Sequence, residues 1–131
     1  MKTLEIQTPS REVLVDITSL VEEQVRREDI KTGLCLVYAP HTTAAITINE
    51  NADPTVRQDV LMTLKKAAPD TLSYAHSEGN SPAHVKASLV GSSVLLIIEN
   101  GRLALGTWQG IFFCEFDGPR RRKVYLKIIS E

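Results

Sequence analysis

Several things are scarce in this chain, and each scarcity excludes a class of protein. Only two of its 131 residues are cysteine. Cys35 and Cys114 cannot build a disulfide scaffold, and each lies inside an apolar run, where a thiol reads as a small buried hydrophobe. No apolar run approaches the length needed to span a bilayer; the longest aliphatic stretch is 94–98. The N-terminal Met1-Lys2-Thr3-Leu4-Glu5 carries no apolar core of a secretory signal, so a reducing cytoplasm is the expected compartment. There is no excess of either charge. Fifteen Lys and Arg against sixteen Asp and Glu leave a net charge of -1, which argues against nucleic-acid binding through bulk charge. No phosphate-binding Gly-x-x-x-x-Gly-Lys loop, His-Glu-x-x-His, Gly-x-Ser-x-Gly or Cys-x-x-Cys occurs.

What is present is an ordinary globular composition, 43% apolar and 24% charged. A chain of this length buries about two-thirds of its unfolded surface. One domain, residues 1–131, is therefore expected. Alternation of apolar and polar residues predicts strands over 3–8 and 13–17, joined as a hairpin, and again over 34–39, 43–49, 94–99, 103–105, 108–116 and 122–129. Ser19-Leu20-Val21-Glu22 has capping-box spacing and predicts a short helix to about Glu28. Asp53-Pro54 predicts a second helix, with an acid at the cap and proline at the first turn, stopped by Pro69. Residues 83–89 fit a helical turn or a strand equally well. Asn100-Gly101 is a hairpin turn signal. The predicted class is α+β: a mainly antiparallel sheet or sandwich of about eight strands with two or three helices.

Chemistry concentrates where the chain turns. The three histidines are His41, His76 and His84. The stretch from His76 to His84 also holds Glu78, Gly79 and Asn80, and Gly79 permits a reversal that faces the two imidazoles together. Three imidazoles with one open position make a catalytic zinc geometry; the same rings, metal-free, can donate to an anion such as phosphate. Glu78 suits either orientation of a ligating imidazole or acid–base work on a bound water. Asn49, Glu50, Asn51 and Asp53 close a strand just before a helix, with Asp53 read first as its cap. Trp108, between Gly106 and Gly110, is either a stacking surface or a core residue at a bulge. Glu115 and Asp117 share a face on an alternating strand. Arg120, Arg121 and Arg122 follow a turn, where a guanidinium can grip phosphate or simply be solvated.

Taken in order, these blocks resemble the YjbQ-like family. The carriers are His41-Thr42-Thr43-Ala44 through Asn49-Glu50-Asn51-Ala52-Asp53-Pro54, His76-Ser77-Glu78-Gly79-Asn80 with Ala83-His84-Val85-Lys86, Gly106-Thr107-Trp108-Gln109, and Glu115-Phe116-Asp117-Gly118-Pro119-Arg120. The resemblance runs over essentially the whole chain. It implies a compact α+β fold assembled as a homotrimer, with polar sites near subunit boundaries. It also implies a weak secondary thiamine-phosphate synthase activity, which joins hydroxymethylpyrimidine diphosphate to thiazole phosphate and releases pyrophosphate. A metal- or phosphometabolite-binding module without efficient catalysis is the alternative. On this reading His41, Glu78, His84 and Glu115 are catalytic, and Asn49, Asn80, Lys86, Trp108 and Arg120 bind a small phosphorylated metabolite. His41, His76 and His84 hold a divalent metal, zinc or, with a diphosphate substrate, magnesium. Trp108 and Glu115 are expected near the histidine cluster.

Overall fold

The computed structural model describes residues 1–131. In chain order the elements are β1 (Lys2–Gln7), β2 (Val13–Asp16), α1 (Thr18–Glu28), β3 (Gly33–Tyr38), β4 (Ala44–Glu50), α2 (Pro54–Ala67), α3 (Ser81–Val90), β5 (Ser93–Glu99), β6 (Arg102–Leu103), β7 (Gln109–Glu115) and β8 (Arg121–Ser130). The strands form two antiparallel sheets. One has five strands in the order β1-β8-β3-β5-β6, the other three in the order β2-β7-β4. The α+β class holds, with eight strands and three helices.

Alternation explains the layering. On β8 the side chains of Arg122, Val124 and Leu126 are buried, while Arg121, Lys123 and Lys127 face out. On β3, Cys35 and Val37 point inward. These meet Ala44, Ile46, Ile111 and Phe113 of the smaller sheet in one apolar core, which Val21 and Val25 of α1 complete. The other face of β7, with Phe112 and Cys114, is nearly as apolar. It is covered by Ala83 and Ala87 of α3 and by Val60, Leu61 and Leu64 of α2. A strand buried on both faces reads as a continuous apolar run, as Ile111 to Cys114 does.

Two expectations change, and one open alternative is decided. β1 and β2 do not form a hairpin: β1 pairs with β8 and β2 with β7, in different sheets. Alternation finds strands but is silent about which neighbour each one takes. The capping box at Ser19 is not formed, because α1 begins two residues earlier, with Ile17 at its cap position and no side-chain cap. Asp16 serves that end instead, its Oδ1 accepting from the Thr18 N–H at 2.9 Å and from the Thr18 hydroxyl. The 83–89 segment is helical as part of α3, with Pro82 in its first turn. The second helix begins as expected, with Asp53 accepting from the Thr55 N–H at 2.9 Å. Asn100 and Gly101 both take positive φ, 54° and 76°, in the β5–β6 hairpin.

Candidate functional site

A cleft of about 510 Å³ opens where the end of β3, the start of β4 and helix α3 meet. It is lined by His41, Thr42, His84, Ser88 and Ser92, with Ala44, Ala87 and Gly91 completing its wall. The volume lies within the ~300–1,000 Å³ usual for small-molecule sites. Residues 84, 87, 88 and 91 recur at helical spacing, so one side of α3 and the residue after it supply that wall. Gly91 ends α3 at φ +100°, a conformation that favours glycine. Two backbone bonds then pin the turn to the sheets: Ala39 N–H donates to the Ser92 carbonyl at 2.8 Å, and Ile46 N–H donates to the Gly91 carbonyl at 3.1 Å.

His84 is shared with a second hollow nearer the N-terminus of the helix, lined also by Tyr74, His76, Ser81 and Val85. There the His76 and His84 rings meet edge to face, 5.4 Å between centroids. His76 Nδ1 lies 3.2 Å from the Ser81 hydroxyl, and its Nε2 lies 3.8 Å from an exposed Glu78 carboxylate. The loop therefore folds back as the Gly79 reversal predicted, and Gly79 takes φ +83°.

His41 lines the cleft and not the hollow. Its Nε2 is 3.0 Å from the Lys123 backbone nitrogen, and its ring lies edge-on to Phe113. Burial of the ring, then the nearby Arg122 charge, push its pKa below the ordinary 6.5. His41 and His84 share the cleft, and His76 and His84 share the hollow. No group of three His, Cys, Asp or Glu side chains is close enough to hold a metal ion. The donor set of one chain thus does not fit a three-histidine metal centre, which needs three protein ligands at once.

Under the cleft lies a buried ion pair. Glu115 has no exposed surface and Arg122 only 3%. Arg122 grips the carboxylate two-handed, with Nε to Oε1 at 2.8 Å and Nη2 to Oε2. Thr8 Oγ1 donates to the same carboxylate at 2.7 Å, and Asp117 N–H at 3.0 Å. Burial alone would raise the Glu115 pKa; these hydrogen bonds and the Arg122 charge outweigh it and hold the carboxyl below its ordinary value. Arg122 Nη2 also donates to the Thr43 hydroxyl at 2.9 Å, which ties the turn after His41 to β8. Glu115 thus lies close to His41, as expected, with its oxygens committed to structure.

The other expected site residues are dispersed. Lys86 is buried on the inner side of α3 and paired with Glu12. Asn80 Nδ2 donates to Asp117 at 2.9 Å, and Arg120 Nη2 to the same oxygen at 3.0 Å. Arg120 and Asn80 are thus joined through one carboxylate, beside β7's C-terminal end. Asn49 and Trp108 are elsewhere. The β4–β7 register sets Asn49 opposite Gly110, with Trp108 just before β7. Trp108 and Glu115 stand at opposite ends of that strand, roughly 20 Å apart at ~3.3 Å per residue. The expectation that Trp108 joins the histidines within one chain is therefore corrected: it is 62% exposed at the tip of a turn.

Sequence reasoning missed Ser88 and Ser92 in the cleft; it noted Thr42 only within the His41 block and Arg122 only as one of three arginines after a turn, not as a buried partner beneath the cleft. Hydroxyls carry no distinctive signal in a sequence. Arg122 does: it occupies the inward register of Val124, Leu126 and Ile128, and a charge on the apolar side of a strand needs a partner.

Residues 2–131 match the family described as UPF0047 protein YjbQ-like. A UPF0047 protein of Methanocaldococcus jannaschii is 53% identical over 127 residues, 97% of this chain and 92% of its own. The UPF0047 protein YugU of Bacillus subtilis is 52% identical over 131 residues, 99% of each chain. A crystal structure of an uncharacterized conserved protein of the same family from Clostridium acetobutylicum superposes with a TM-score of 0.96 at 54% identity, covering 98% of this chain and all of that one.

Proposed function

The chain belongs to the UPF0047 YjbQ-like family, and from that premise we propose that the His41–His84 cleft is its working site and binds a small phosphorylated metabolite. The observation that carries this is the lining: two imidazoles and the hydroxyls of Thr42, Ser88 and Ser92, with no carboxylate among them. Such a wall offers donors to phosphoryl oxygens and no like charge to repel them. Ser88 already donates to the His84 carbonyl at 3.0 Å, which leaves Thr42, Ser92 and the imidazoles for a ligand.

The reading is a binding module first. Its finer form is the transferase reaction implied by the resemblance, in which the cleft would hold the diphosphate of a pyrimidine substrate. Binding without efficient turnover is the better supported of the two, because Glu115 is fully hydrogen-bonded and Glu78 is exposed. The divalent cation of that resemblance has the His76–His84 pair as its proposed holders. Two imidazoles fall one protein ligand short of a catalytic zinc set.

The proposed partner is a second copy of this chain, in a homotrimer. The outer face of the larger sheet carries no helix. There the register aligns Ile129, Leu34 and Ile97 in one row and Leu36 and Leu95 in the next, flanked by Tyr125 and Tyr38. Leu95 is 61% and Ile97 57% exposed. Contiguous apolar surface of this kind marks an interface, and copies of the chain are the occupants always at hand.

Calorimetric titration with inorganic phosphate and pyrophosphate tests the cleft. Binding should be lost by about tenfold or more in His84→Ala, as expected for hydrogen bonds to a charged ligand worth ~1.5–3 kcal/mol. Unchanged affinity in that variant overturns the assignment. Incubation with hydroxymethylpyrimidine diphosphate and thiazole phosphate separates turnover from binding. Light scattering of wild type and Ile97→Glu tests the assembly; a wild type of monomer mass at micromolar concentration overturns it.

A further inference from the structure

The ladder between β3 and β8 sets Tyr38 opposite Tyr125. Continued by two residues, it would set Pro40 opposite Lys123. β3 ends at Tyr38, and no backbone bond joins Pro40 to Lys123: the Pro40 carbonyl does not accept from the Lys123 N–H, and proline has no N–H to give the Lys123 carbonyl. The His41 ring stands in the gap. Its Nε2 lies 3.0 Å from the Lys123 nitrogen and 3.2 Å from the Lys123 oxygen. One ring nitrogen cannot serve both groups at once. Unprotonated, it accepts from the N–H; protonated, it donates to the carbonyl.

Two considerations select the first arrangement. The contact to the N–H is the shorter. An orphaned backbone N–H is also the rarer condition in folded proteins, whereas an under-used carbonyl is better tolerated. With Nε2 accepting, the proton of a neutral imidazole must reside on Nδ1, the one polar ring atom left for a ligand.

We infer that the Lys123 backbone fixes His41 as the tautomer protonated at Nδ1, and that His41 serves the cleft as a neutral hydrogen-bond donor to a ligand oxygen, not as a metal ligand. A ring in this state has no lone pair to offer: Nε2 spends its pair on the Lys123 N–H, and Nδ1 carries the proton. His41 therefore selects phosphoryl or carbonyl oxygens and discriminates against amines and bare cations. The identity of the oxygen rests on the phosphate reading of the cleft; the tautomer is a property of the free protein.

Two-bond proton–nitrogen correlation spectra of the nitrogen-labelled full chain at pH 7.5 test both parts separately. Without ligand, His41 should show a protonated Nδ1 and an unprotonated Nε2. One equivalent of zinc should move resonances of His76 or His84 and leave His41 in place, while inorganic phosphate should move His41 Nδ1. A His41 protonated at Nε2, or one shifted by zinc, overturns the inference. Phosphate that moves no histidine overturns the phosphate reading and leaves the tautomer to be judged on the ligand-free spectrum. Substitution adds a second measure. His41→Asn keeps a donor where Nδ1 stands, whereas His41→Gln carries its amide to the Nε2 side. Phosphate affinity should fall about three- to tenfold further in His41→Gln than in His41→Asn, as loss of one hydrogen bond predicts; the reverse order overturns the donor role.

Discussion

Replacing Glu115 by alanine should be the most damaging single substitution near the cleft. The carboxylate has no exposed surface and receives Thr8 Oγ1, the Asp117 N–H and both arms of Arg122. Arg122 is itself 97% covered, so its guanidinium would be left with the Thr43 oxygens alone. Removing one partner of a buried ion pair costs ~3–5 kcal/mol, because the other charge stays desolvated. That is a large part of the ~5–15 kcal/mol stability of a typical domain. With a urea m-value of ~1.5 kcal/mol/M, the unfolding midpoint should drop by roughly 2–3 M. Protein concentration must be held constant across variants, since assembly would add to apparent stability. The double variant Glu115→Leu with Arg122→Met removes both charges and should recover ~2 kcal/mol or more of the loss, because well-packed apolar replacements of such pairs are often near neutral. A Glu115→Ala cost below ~1 kcal/mol, or a double variant less stable than Glu115→Ala, would refute this account of the pair.

Three other outcomes can be measured. Glu115 is held below the ordinary carboxyl value of 4.5, so above that pH its ionised form contributes full stability. As pH falls through the lower, folded value the unfolded chain takes up the proton first and that contribution is lost; the stability gap between wild type and Glu115→Gln should therefore narrow below about 4.5 and stay constant above about pH 6. Gly33→Ala would place a Cβ 2.1 Å from the Ile129 carbonyl oxygen, so the β3–β8 ladder must shift, at ~1–3 kcal/mol in thermal unfolding. Gly110→Ala would place a Cβ 2.8 Å from the Asn51 Cβ, which rotation of that side chain does not move, so the β4–β7 edge must shift and a cost of the same order should appear in the same assay. Burial pushes the Cys35 thiol up to about 11 and the Cys114 thiol to about 12, so neither should react with a thiol reagent at pH 8 until the chain is unfolded.

Much of this protein is legible in its residues one stretch at a time. Alternation in 122–129 and 94–99 marks β8 and β5, Asp53-Pro54 marks the start of α2, and Asn100-Gly101 marks the β5–β6 turn, because each depends on chemistry within a few residues. The reversal at Gly79 that brings His76 to His84 belongs to the same class. Pairing does not. β1 meets β8 across more than a hundred residues, and nothing in Lys2–Gln7 names that partner. The same limit governs the site. His41 and His84 face one cleft only because β4 packs beside α3, and Trp108 is carried to the opposite end of β7 from Glu115 by strand length alone. By its sequence Glu115 can ligate a metal or pair with a basic residue; the fold commits its oxygens to Arg122, seven residues on, and to Thr8, more than a hundred residues away. Local residue chemistry determined which segments form and which residue types carry charge, protons and hydroxyls. Only the tertiary structure decided which of them are spent on each other and which remain for a ligand, because hydrogen-bond partners are chosen by distance in space.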